Sequence, residues 1–182
     1  MDNAINEQAI SPGEVGATAT PPRYLEVWLP MVIVGVDQAT KAMVKAALPF
    51  QDSVTIIPGL MNFTHVLNSG AAFGILNGVD FPFKTVLIAV IAMAALIGVG
   101  IYAASISHHQ LVARIGLALI IGGAAGNLID RVLFGSVVDF VDVYWRSYHF
   151  WAFNIADSAI SVGVTIMILD MLGAGAHVSK TV

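Results

Sequence analysis

Apolar residues run in four long stretches along this chain, near residues 24–47, 84–106, 112–133 and 153–172, with polar residues gathered between them and at their ends. Each stretch can cross a hydrocarbon core of about 30 Å, which takes roughly 20 helical residues. The pattern therefore predicts four membrane-spanning helices. The second is the most uniformly apolar, running from Thr85 through Leu87, Val90, Met93, Leu96 and Ile101 without a charge, as a packing or lipid-facing helix does. The first opens with Tyr24 and Trp28, suited to a membrane interface, and turns polar only in its last third, at Asp37, Gln38, Thr40 and Lys41.

An even number of crossings puts both termini on one side. The C-terminal ends of the first and third stretches then share the opposite side with the N-terminal ends of the second and fourth. That side collects Asp37 and Lys41, the run from Asn127 to Arg131, the loop 134–152 with Asp139, and Asp157. It also holds the insert from Pro49 to Phe83. Within the insert, Val54 to Val66 is rich in β-branched and aromatic residues and is split by Pro58-Gly59, which predicts strand, turn, strand lying on the membrane surface. The fold class expected is an all-α integral membrane bundle of four helices with a small β-sheet insert between the first and second. The other side keeps the short link Ser107 to Gln110, whose His108 and His109 read as solvated, and the two tails. Charge does not orient the chain, since Arg23, Arg114 and Lys180 oppose Lys45, Lys84 and Arg146 across the membrane.

Composition supports an integral membrane protein: 57% of the 182 residues are hydrophobic and 11% charged, and the mean hydropathy is +0.82. Cysteine is absent, which removes disulfides, thiolate nucleophiles and Cys-ligated metals. The net charge of −4 and the lack of a basic cluster argue against nucleic acid as a partner. Residues 1–22 are polar and lack the basic start and apolar run of a cleaved signal peptide, so a disordered tail is expected there, followed by a single membrane domain over 23–173 and a short tail over 174–182.

Ionisable groups in hydrocarbon cost roughly 2.5–3.5 kcal/mol each on insertion scales, so a cluster of them calls for mutual pairing or for function. The run Gly122-Gly123-Ala124-Ala125-Gly126 lets a neighbouring helix approach closely. Directly after it, Asn127, Asp130 and Arg131 fall at i, i+3 and i+4 on one helical face, as a hydrogen-bonded clamp or as support for a nearby carboxylate. Asp157 stands in the first turns of the fourth helix, where a capping role is the ordinary explanation. Asp139, in Val137-Val138-Asp139-Phe140, has no such explanation. If the two carboxylates meet, like-charge repulsion leaves one of them protonated and gives an acid and a base in one pair. Such a pair can direct water onto an amide carbonyl without metal or covalent intermediate. Ser69 or Ser158 with Lys41 offers a weaker serine–lysine alternative.

The blocks Asp37-Gln38-x-x-Lys41, Asn68-x-Gly70-Ala71-Ala72-Phe73-Gly74, Gly122 to Arg131, Val137-Val138-Asp139-Phe140 and Phe153-Asn154-Ile155-Ala156-Asp157-Ser158 together resemble, in order, the signature blocks of lipoprotein signal peptidase, the bacterial signal peptidase II. The resemblance spans residues 24–173. It implies that Asp139 and Asp157 form a catalytic dyad, that Asn68, Gly70, Asn127, Asp130, Arg131, Asn154 and Ser158 line or order the site, and that Asp37 and Lys41 brace it. It also implies cleavage of diacylglyceryl-modified prolipoproteins before the lipidated cysteine, at the outer face of the inner membrane, with both termini cytoplasmic. No cofactor or metal is implied, and a monomer in membrane lipid suffices. An ion-coupled transporter and a helix-clamping assembly factor are the rival readings, because intramembrane acids also mark ion pathways and helix contacts.

Overall fold

The computed structural model describes residues 24–71, 75–107 and 109–178, with side chains to 173. Residues 1–23, comprising the tail and Arg23, residues Ala72 to Gly74 of the second signature block, His108 and residues 179–182 lie outside that description. Four helices, α1 (Tyr24–Ala47), α2 (Lys84–Ser105), α3 (Leu111–Phe134) and α4 (Ile155–Val178), are each long and apolar enough to span a membrane. Four strands complete the chain: β1 (Ser53–Ile57), β2 (Met61–Asn68), β3 (Val137–Trp145) and β4 (Tyr148–His149).

The central helix is α3, which packs on α4, α1 and α2. Its glycines set how close the neighbours come. A Cβ on Gly122 would meet Pro30 and Ile33 of α1, and one on Gly123 would strike the main-chain oxygen of Ala156 in α4. The small-residue run is therefore a two-sided contact, joining α3 to α1 and to α4. Gly116 and Gly163 extend the α3–α4 contact toward the other end, each facing the other's main-chain oxygen.

The sheet is antiparallel with order β1-β2-β3-β4. Two of its strands come from the connection between α3 and α4, read above as a loop, so neither "all-α" nor an insert confined to one connection describes the fold. The reason is visible in Val137–Trp145, a run of β-branched and aromatic residues that finds its partner in β2. The β2–β3 register shifts between Phe63 and Val66, a bulge that places buried Thr64 and His65 under the α1–β1 turn, where His65 Nδ1 lies 2.8 Å from the Leu48 oxygen. Along β3 the faces separate. Val138 and Phe140 pack against Val44 of α1, while Val137 and Asp139 face a cavity beside α4.

Candidate active site

Asn154 is the residue around which the site is built. It precedes α4 and caps it: its Oδ1 accepts the Asp157 N–H at 2.9 Å, and Asp157 Oδ2 accepts the Asn154 N–H at 3.2 Å. This reciprocal pair is a capping box with aspartate as its acid. Asn154 is fully buried, and its side-chain amide donates to Asp139 Oδ1 at 2.8 Å and to Asn127 Oδ1 at 3.2 Å. One residue thus contacts both carboxylates and fixes β3 against the start of α4.

Each carboxylate has a second asparagine. Asn68, at the end of β2, donates to Asp139 Oδ2 at 3.1 Å, and Asn127 of α3 donates to Asp157 Oδ1 at 2.7 Å. The capping explanation for Asp157 is therefore correct but incomplete, because the cap engages one oxygen and leaves the other to Asn127. Burial pushes the Asp139 carboxyl up to about 7, and the charge of Asp157 acts in the same direction. The hydrogen bonds from Asn68 and Asn154 and the Lys41 ammonium pull it down by less.

Behind these groups lies a buried ionic layer. Lys41 Nζ is 2.8 Å from Asp37 Oδ2, 2.8 Å from Asp130 Oδ2 and 3.0 Å from Asn127 Oδ1, with all three charged side chains almost fully enclosed. Gln38 joins it, donating to Asp130 Oδ1 at 3.1 Å and to the Gly126 oxygen at 3.2 Å. Asp130 thus turns to Lys41 and Gln38, and its neighbour Arg131 points the other way, donating to the oxygens of Gly70 at 2.9 Å and Asn127 at 3.2 Å. The buried Arg131 Nε has no acceptor among the described residues. Gly70 is held in a turn by Asn68, whose Oδ1 accepts its N–H at 2.9 Å, and a Cβ there would collide with the main chain of Ile75 and Asn77.

The cavity has a volume of about 440 Å³. Of the residues singled out from sequence, Asn68, Asn127, Arg131, Asp139, Asp157 and Ser158 line it, whereas Asp37, Lys41, Gly70, Asp130 and Asn154 stand behind the lining. The Ser158 hydroxyl donates to the Asn154 oxygen at 2.9 Å, and Lys41 makes its contacts within the ionic layer, so the serine–lysine arrangement does not form. The walls are Phe150, Trp151, Ala152 and Phe153 on one side and Ile160, Ser161 and Val162 of α4 on the other. The strands over Val54–Val66, read from sequence as a sheet on the membrane surface, do not line the cavity, and of Tyr144, Trp145, Tyr148 and Trp151 in the α3–α4 connection only Trp151 does, the other three standing in the β3–β4 hairpin. Sequence reading missed the Ile160–Val162 wall, because apolar residues inside a membrane helix carry no distinguishing signal. Gln38 could have been found from its place beside Asp37.

The profile of the family described as signal peptidase (SPase) II matches residues 29–173. A lipoprotein signal peptidase of Geobacter metallireducens is 45% identical over 139 residues, covering 75% of this chain and 83% of the relative. One from Pseudomonas putida is 38% identical over 152 residues, covering 82% of this chain and 87% of the relative. A solved structure of a bacterial membrane enzyme superposes with a TM-score of 0.75 at 34% identity, covering 84% of this chain and 90% of the solved one.

Proposed function

This chain belongs to the signal peptidase II family of membrane proteases, and from that membership we propose that Asp139 and Asp157 together activate a water to cleave diacylglyceryl-modified prolipoproteins just before the lipidated cysteine. Removal of signal peptides from prolipoproteins is the family's activity; the dyad, the water and the cleavage position are the proposal. The observation that carries it is the contact of Asn154 with both carboxylates, which line one cavity.

One carboxylate of the pair, ionised, takes a proton from water as the water attacks the scissile carbonyl. The other, protonated, hydrogen-bonds the carbonyl oxygen and then supplies the proton that the leaving amine needs. Asn68, Asn127 and Asn154 hold the carboxylate oxygens in place, so little reorganisation accompanies the reaction. The apolar walls from Phe150 to Phe153 and from Ile160 to Val162 suit a substrate whose acyl chains stay in the bilayer while its scissile bond reaches the carboxylates. This reading puts the site on the outer side of the inner membrane, with the termini in the cytoplasm and a single chain as the working unit. Lys84, a cation on the outer side, does not weigh against that orientation, because it is enclosed by main-chain oxygens.

The test is cleavage by the purified chain in detergent of a diacylglyceryl-modified prolipoprotein and of the same precursor without lipid. Signal-peptide release from the lipidated form alone is expected. Equal release from both forms would remove the lipid from the account, and release from neither would remove the activity.

A further inference from the structure

Lys84 is the first residue of α2 and is only 7% exposed. Nothing local favours a lysine there. A helix N-terminus carries partial positive charge and repels a cation, and α2 begins after a left-handed Phe83 (φ 64°) with no side-chain cap. These are three local misfits at one helix start, and such concentrations mark places where another requirement has overridden local preference.

The requirement is visible in the partners of the ammonium. Lys84 Nζ donates to the Val79 oxygen at 2.8 Å, to Ser69 Oγ at 3.1 Å and to the Leu76 oxygen at 3.4 Å. All three acceptors are neutral, and all belong to one segment, the connection between β2 and α2, of which residues 69–71 and 75–83 are described. No carboxylate pairs with Lys84 among the described residues. Ser69 Oγ in turn donates to Asn77 Oδ1 at 3.0 Å, which also accepts the Ser69 N–H at 2.9 Å. A single buried charge therefore ties the beginning of the segment to its end, through charge-assisted hydrogen bonds that offset its desolvation.

What hangs on this segment is the site. Asn68, immediately before it, holds Asp139 Oδ2; the Gly70 oxygen receives Arg131 Nη2; and Ala71 lines the cavity. We propose that Lys84 is a positioning residue for the peptidase reaction, its ammonium joining Ser69 to Leu76 and Val79 so that Asn68 and the Gly70 carbonyl are held against Asp139 and Arg131. This rests on the aspartyl-peptidase reading above. Lys84 itself touches neither carboxylate, so its effect on turnover passes through Asn68 and Gly70.

Two readouts test it on the full-length protein in detergent, for wild type, Lys84→Met, Lys84→Arg and Ser69→Ala. Hydrogen exchange needs no substrate: in Lys84→Met the amides of 69–71 and 75–83 are expected to exchange roughly tenfold faster or more, with α1, α3 and α4 unchanged. Cleavage of the lipidated precursor should show kcat lower by roughly 10- to 100-fold, the scale of a misplaced catalytic group, with KM little altered. Lys84→Arg, which keeps the charge and donors, should recover most of the loss, and Ser69→Ala should show a smaller change of the same kind. Unchanged exchange at those amides, or faster exchange with unchanged kcat, would overturn the proposal. If Lys84→Met does not fold, Ser69→Ala decides by the same criteria. Faster exchange in Lys84→Met with no cleavage even by the wild type would instead count against the peptidase reading, and against any positioning role for Lys84 in that reaction.

Discussion

Asp37 Oδ1 accepts the main-chain N–H of Ala156 at 3.0 Å, so a carboxylate from α1 caps α4 one residue before Asp157. The other oxygen of Asp37 lies against Gly126 of α3, where a Cβ would stand 2.6 Å from it. Three helices meet at this carboxylate, and the position of Asp157 depends on all of them.

Gly126→Ala should therefore push Asp37 away from Ala156 and destabilise the protein by about 1–3 kcal/mol, as overpacking does. Gly98→Ala, in α2 with nothing within 4 Å of the added Cβ, should be neutral or stabilise by up to about 1 kcal/mol from helix propensity alone. Thermal unfolding in detergent compares them. Equal effects of the two alanines would contradict the Asp37 contact.

The elevated Asp139 carboxyl predicts the pH dependence. A dyad that shares one proton fails when that proton is lost, so cleavage should fall as pH rises past about 7. The Asn68 hydrogen bond favours the ionised form of Asp139, hence Asn68→Ala should move this alkaline limb to higher pH. A limb that stays in place or moves down would contradict the assignment. The stability effect has a definite sign as well. Asp139 is raised above its unfolded value of about 3.9, so its contribution to stability is complete below about 4 and is lost as pH rises through about 7. Asp139→Asn should flatten that part of the stability curve.

Trp151 and Trp145 are both exposed, yet only Trp151 lines the cavity. Trp151→Ala should lower kcat/KM for the lipidated precursor by roughly tenfold, equivalent to about 1.4 kcal/mol of lost apolar contact. Trp145→Ala should leave it within about twofold of wild type, a difference of under 0.5 kcal/mol. Parallel losses in the two variants would show that the wall is not specific to Trp151.

Much of the site is legible in the sequence because a membrane chain makes polar residues conspicuous: Asp37, Lys41, Asn127, Asp139 and Asp157 each interrupt or border an apolar run. The β-hairpin of the insert is legible from Pro58-Gly59 between β-branched runs. β3 is harder, because Asp139 draws attention as a lone acid, and the strand's partner, with Asn68 71 residues away, is set by tertiary pairing. Lys84 is harder still. A lysine at the end of an apolar helix reads as a topology signal, and two of its three acceptors are main-chain oxygens, which no residue type announces. The same holds for the Ala156 N–H capped by Asp37. Side-chain chemistry can be read from the chain, whereas main-chain partners appear only when the fold brings them together.

The central claim is that Asp139 and Asp157 act as one acid–base pair. The most direct measurement is signal-peptide release from the diacylglyceryl-modified precursor by Asp139→Asn and by Asp157→Asn, each compared with wild type after unfolding in the same detergent has shown that the variant is folded. Each asparagine keeps one of the two acceptor oxygens and turns the other into a donor facing an N–H, so a stability loss of about 1–3 kcal/mol is expected, while cleavage by the folded variant falls by roughly 10²- to 10⁴-fold in each. Wild-type cleavage by either folded variant would contradict the account.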